Sequence, residues 1–226
     1  MVNAHRGGEH MPLDVYLKAM RFNAKYDPIT VMVSGGEPTK HPRIVEYLNI
    51  AKGYAPIVCL ISNGSFLEDE ELTWKILNLK IKVQITNDPD YYPRALPYHP
   101  AMAHFSVERK VNNITPLGRA KTNGLVGRRR LAPTCYNLRA ATLQLGNLQA
   151  GVAYLRDRGY FCTPSINING SVAAGEAPFC QALGTVESGE HVLLRNIVWL
   201  GCNECGLWDG LNERIRKERR KQGGRL

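Results

Sequence analysis

Three strand-like runs, spaced by helix-period segments and each ending in a small or polar turn, constrain this chain more than any other feature. Residues 29–33 run into Ser34-Gly35-Gly36-Glu37-Pro38. Residues 57–61 run into Ser62-Asn63-Gly64, and residues 81–86 into Asn87-Asp88-Pro89. The first two are nearly continuous apolar runs rich in Val and Ile, the pattern of strands buried on both faces. The intervening segments have the other period. Leu13, Tyr16, Leu17 and Met20 fall at i, i+3, i+4 and i+7, with Pro12 at the entry to the helix. Residues 42–52 place Ile44, Val45, Leu48 and Ala51 on one face and stop at Gly53, and residues 68–78 form an acid-started helix. Three βα-type units in succession predict a parallel sheet wound with helices. The carboxyl ends of such strands are where α/β folds bind ligands, and glycines there let a ligand approach the backbone closely.

Beyond Asp88 the pattern changes. Pro89, Pro93, Pro97 and Pro100 interleave with Tyr91, Tyr92 and Tyr98, which predicts an extended loop. Residues 111–115 are a further candidate strand, residues 124–133 a basic linker, and residues 138–158 one helix with a weak point at Gly146 or Gly151. From Phe161 the texture becomes short strands, turns and cysteines. These shifts divide the chain into residues 1–133, a small cysteine-rich α+β region at 134–212 and a tail at 213–226.

The charge and cysteine content narrow the function classes. Of a net charge of +9, the tail holds seven basic residues, Arg214, Arg216, Lys217, Arg219, Arg220, Lys221 and Arg225, against Glu213 and Glu218. Such a tail reads as a solvated helix end or a nucleic-acid contact. Apolar residues at 44% and charged residues at 22% fit a globular chain. No run of about 18 apolar residues exists for a membrane span, and the first residues have no apolar segment of a secretory signal. The expectation is a cytoplasmic protein, in which the six cysteines (59, 135, 162, 180, 202 and 205) serve metal ligation rather than disulfides.

Val31-Met32-Val33-Ser34-Gly35-Gly36-Glu37-Pro38, followed by Thr39-Lys40-His41-Pro42, closely resembles the Gly-Gly-Glu-Pro motif of radical S-adenosylmethionine (radical SAM) enzymes. Ser62-Asn63-Gly64, Gln84-Ile85-Thr86 and Pro116-Leu117-Gly118-Arg119-Ala120 resemble later strand ends of that family. Cys162, the segment around Asn169-Gly170, Cys180 and Cys202-x2-Cys205 resemble its SPASM or twitch extension. The resemblance implies a partial (β/α) TIM-like barrel with a cysteine-rich C-terminal extension. It implies S-adenosylmethionine as cofactor, with Gly35, Gly36 and Glu37 at the amino group of the methionine moiety. Ser62, Asn63 and Gln84 would lie near the ribose or carboxylate, with Arg119 assisting at the carboxylate. Cys162, Cys180, Cys202 and Cys205 would ligate an auxiliary 4Fe-4S cluster, with Cys135 as an alternate or additional ligand. The implied reaction is reductive cleavage to a 5′-deoxyadenosyl radical that abstracts hydrogen from a peptide or small-molecule substrate, fed by an electron donor.

The chain departs from the family in one respect: no CxxxCxxC occurs in it. Residues 2–11 look like the segment that follows that loop, so the expectation is an N-terminally truncated member lacking its first strand. Residues 29–33 would then be an unprotected sheet edge. Cys59 lies inside an apolar strand and reads as a buried structural thiol. The rival reading of the cysteines is a structural zinc site, giving a non-catalytic module with a nucleic-acid-binding tail. Glu37 has a second reading too, as a cap for the helix that follows it. The histidines show no metal-ligand spacing.

Overall fold

The structure is a computed structural model that describes residues 9–87, 96–108, 134–158, 165–174, 180–198 and 200. The chain divides into two compact units, Met1–Ile114 and Thr115–Leu226. The expected boundary at 133, the candidate strand at 111–115 and the tail at 213–226 lie outside the described residues.

The first unit alternates helix and strand: α1 (Leu13–Ala24), β1 (Thr30–Val33), α2 (Ile44–Ala51), β2 (Ile57–Ser62), α3 (Glu70–Asn78), β3 (Lys82–Thr86) and β4 (Ser106–Glu108). The four strands are parallel and lie in sequential order. Among the described residues the sheet does not close into a barrel, and β1 is one of its edges. Short-range chemistry sets the boundaries. Asp69 caps α3 by accepting from the Leu72 N–H at 2.9 Å, with Glu70 and Glu71 in the first turn complementing the helix dipole. α1 starts after the extended Pro12 and buries Tyr16, Ala19, Met20 and Phe22.

The strands are not buried on both faces, as residues 29–33 and 57–61 led one to expect. Val31, Val58, Leu60, Val83 and Ile85 are buried together, whereas Ile29 and Met32 are 52% and 45% exposed. Sequential order explains this: right-handed crossovers between consecutive neighbours put every helix on the same face of the sheet. The other face carries Met32, Cys59, Ile61, Gln84 and Thr86. Cys59 on that face is half-buried, not enclosed. Burial still pushes its thiol pKa up, with the Lys82 charge opposing.

The second unit pairs α4 (Thr134–Leu145) with α5 (Leu148–Arg156). The single helix expected over 138–158 is therefore two. The break is at Gly146, whose φ of 68° ends α4, after which the Asn147 side chain caps α5 through the Ala150 N–H at 2.9 Å. Gly151 lies within α5. A small antiparallel sheet follows, β5 (Ser165–Ile166), β6 (Ser171–Ala173) and β7 (Ala182–Thr185), with its first turn at Gly170. Helix α6 (Glu190–Val198) is tied to β7 by Asn196, which donates to the Leu183 carbonyl at 2.7 Å.

Candidate functional site

The carboxyl ends of β1, β2 and β3 meet along one edge of the parallel sheet, as the strand pairing requires. There the Glu37 carboxylate joins two strand ends. Its Oε1 accepts from the Thr39 N–H at 3.1 Å, the Thr39 hydroxyl at 2.6 Å and the Ser62 hydroxyl at 2.8 Å. Its Oε2 accepts from the Asn63 N–H at 2.7 Å. A carboxylate is suited to this because it is acceptor-only with about four lone-pair sites.

A second tier supports the first. The Ser62 hydroxyl, which is buried, accepts from the Gly64 N–H at 3.0 Å while donating to Glu37. The Asn63 side chain accepts from the Ser65 N–H at 2.9 Å, closing the turn after β2. Thus Glu37, Ser62 and Asn63 form one connected network. Glu37 also caps a short 3-10 turn, Pro38–Lys40, so its capping role occurs one element earlier than the helix near Pro42.

Gly35 and Gly36 precede this network. Gly35 has a φ of 153°, and a side chain there would meet nothing within 4 Å, so the backbone at this corner faces open space. With the Glu37 carboxylate committed to Thr39, Ser62 and Asn63 and its carbonyl accepting from the Lys40 N–H at 3.1 Å, the Gly35 and Gly36 carbonyls and the remaining lone pair on Oε2 are the acceptors left for a donor-bearing ligand. Gln84 sits one strand further along, on the face away from the helices, and donates through Nε2 to Glu108 Oε2 at 2.8 Å. Glu108 ends β4, directly opposite Thr86 in the register. Sequence reasoning missed both Glu108 and its strand. Ser106-Val107-Glu108 is too short to show a period and runs into Arg109-Lys110.

Of the expected site residues, the structure brings Gly35, Gly36, Glu37, Ser62 and Asn63 to one corner and sets Gln84 on the neighbouring strand. Arg119, Cys162, Cys202 and Cys205 lie outside the described residues. Cys180 is half-buried just before β7, and Cys135 is buried at the start of α4. Among the described residues no group of three or more metal-ligating side chains comes together. No helix among them is long and apolar enough to cross a membrane.

No family model and no curated protein matches the sequence. Among solved structures, the chain is similar to BtrN in an open conformation, with 13% identity, a TM-score of 0.47, and 92% of this chain covered against 74% of that one. It is also similar to BtrN in complex with AdoMet and 2-DOIA, with 12% identity, a TM-score of 0.49, and coverage of 96% and 79%. At these values the likeness assigns no residue and no activity to this chain.

Proposed function

We propose that this chain is a radical SAM-type protein whose S-adenosylmethionine site is the carboxyl edge of the sheet. The observation that carries the reading is the Glu37 network, which fixes the glycine corner after β1 against the turn after β2. In this reading the ammonium of the methionine moiety meets acceptors at Gly35–Glu37, and Ser62, Asn63 and Gln84 border the ribose and carboxylate. Arg119 is the proposed counter-charge to that carboxylate. The acceptor set suits such a ligand: an ammonium needs acceptors, and the exposed Gly35 and Gly36 carry backbone carbonyls that can serve.

When bound and reduced by a 4Fe-4S cluster, S-adenosylmethionine supplies a 5′-deoxyadenosyl radical for hydrogen abstraction. The work of this chain's own residues is orientation. Glu37 holds two loops in register, and the half-buried polar residues of β3 and β4 line the face on which a peptide or small-molecule substrate would lie. CxxxCxxC is absent from this sequence, so cleavage requires cluster thiolates and an electron donor from elsewhere, and cofactor binding is the activity to test first. We assign Cys162, Cys180, Cys202 and Cys205 to an auxiliary 4Fe-4S cluster, with Cys135 as an alternate or additional ligand, on their resemblance to the SPASM or twitch extension.

Titration calorimetry with S-adenosylmethionine and methylthioadenosine tests the site. The full cofactor is expected to bind more tightly, because methylthioadenosine lacks the amino-acid end. Glu37→Gln places an amide donor against the Asn63 or Ser62 donors. It is expected to weaken binding of the full cofactor by about tenfold or more, the equivalent of one charge-assisted hydrogen bond. Equal affinity for the two ligands, or an unaffected Glu37→Gln, overturns the assignment. Elemental analysis of anaerobically purified protein tests the cysteines: iron with sulfide supports the cluster, while zinc without sulfide replaces it with a structural site.

A further inference from the structure

At the end of the sheet opposite Glu37, where β2 and β3 begin, the first unit contains a cavity of about 280 Å³. Three lysines are among its lining residues, Lys52, Lys80 and Lys82, and no acidic residue is. All three are exposed, and none has an ion-pair partner among the described residues. The rest of the wall is apolar, with Pro56, Ile57 and Ile81 among its residues.

Part of this charge has a local explanation. Lys52 is the C-cap of α2 and Lys80 follows the C-cap of α3, positions where a cation complements the helix dipole. Lys82 is a strand residue and has no such role. Lys80 also holds a φ of 54°, a left-handed conformation that is costly for a residue with a Cβ. Three like charges bordering one cavity with no acidic residue in its lining make it favourable to an anion.

We propose that this cavity is an anion site that takes a phosphate group carried on a small apolar body. Lysine binds phosphate as a point charge, so three flexible ammoniums can adapt to its oxygens. The apolar wall favours a phosphate ester over the bare ion. The volume suits a compact ester and falls below the range typical of sites for larger ligands. This site is separate from the carboxyl edge and does not depend on the S-adenosylmethionine reading.

Calorimetric titration of the full chain at low salt, with n-butyl phosphate and inorganic phosphate as probes, tests the proposal. Saturable binding is expected for both, several-fold tighter for the ester. The double variant Lys52→Ala/Lys82→Ala is expected to weaken it by about tenfold or more, the scale of losing two close charges. Lys52→Arg/Lys82→Arg should retain binding. Lys75→Ala, which removes a lysine paired with Glu71 on α3, should leave it unchanged. S-adenosylmethionine affinity should be the same in all these variants, so failure of one site is distinguishable from failure of the other. No saturable binding, an unchanged affinity in the double alanine variant, or an equal loss in Lys75→Ala overturns the anion site. Equal affinity for the two probes overturns the choice of an ester.

Discussion

A single carboxylate organises the candidate site because it accepts where two strand ends each have donors to place. Thr39, Ser62 and Asn63 would otherwise leave hydroxyl or N–H groups without acceptors in a partly buried corner, at a cost of about 1–3 kcal/mol for each buried group. The tightest steric constraint at this corner lies next to the network, at Gly64. Its φ of 82° is left-handed, and a Cβ there would stand 2.5 Å from Leu96 Cδ2 and 2.9 Å from Ile85 Cγ2. Gly35 also has a glycine-type φ but open space around it. Gly64→Ala combines backbone strain with overpacking and is expected to cost roughly 2–5 kcal/mol. Gly35→Ala, with strain alone, is expected to cost about 1–3 kcal/mol. Urea melts of the two variants check the order, and equal losses would show that the Leu96 and Ile85 side chains yield freely.

The packing of α1 on α2 depends on a pair of buried phenols. Tyr16 donates to the Tyr47 carbonyl at 2.9 Å, Tyr47 donates to the Met11 carbonyl at 2.7 Å, and the two ring centroids lie 4.3 Å apart with the planes tilted by 34°. Burial raises the pKa of Tyr16 well above the usual tyrosine value, with Tyr47 adding to the effect, and burial raises Tyr47 as well. The folded state therefore keeps protons that the unfolded chain releases above about pH 10. Stability from this source is fully present below that pH and falls as pH rises through and beyond it. Tyr16→Phe should flatten the fall between about pH 10 and 12, at the cost of about 1 kcal/mol at neutral pH for the lost hydrogen bond; denaturant midpoints across that range measure both. At this scale the sequence was legible where a period ran long enough. Leu13, Tyr16 and Met20 announced α1, and the Val- and Ile-rich runs announced β1 and β2. Such runs do not reveal whether one face or two are covered, because that depends on the side to which crossovers bring the helices. β4 was illegible for a different reason: its three residues take their place from pairing with β3, not from local preference. The Gly35–Glu37 corner could be read from its motif, whereas the partners of Glu37 at Ser62 and Asn63 and the Gln84–Glu108 pair depend on strand register, which no local pattern encodes.

At the scale of the whole molecule, β1 is an edge of the parallel sheet among the described residues. Thr30–Val33 contains no charge and no proline, pairs only with β2 among the described residues, and includes the exposed Met32, with Ile29 just before the strand exposed as well. Edges of this kind are usually blunted by lysine, proline or a bulge, because unpaired N–H and C=O groups template pairing with another chain. The chain's +9 charge opposes association at long range. Salt screens that repulsion within about 10 Å at 0.1 M, while the apolar attraction at the edge remains. Self-association is therefore expected to increase with salt, the reverse of what a surface ion-pair interface would do. Met32→Lys places a charge on the open face without changing the strand's backbone bonds. It is expected to shift the sedimentation profile toward monomer at every salt concentration. An unchanged profile in Met32→Lys would move the contact away from β1. A wild-type chain that stays monomeric at high salt would show that this edge is protected in solution, and the one-sided sheet would then need another source of cover.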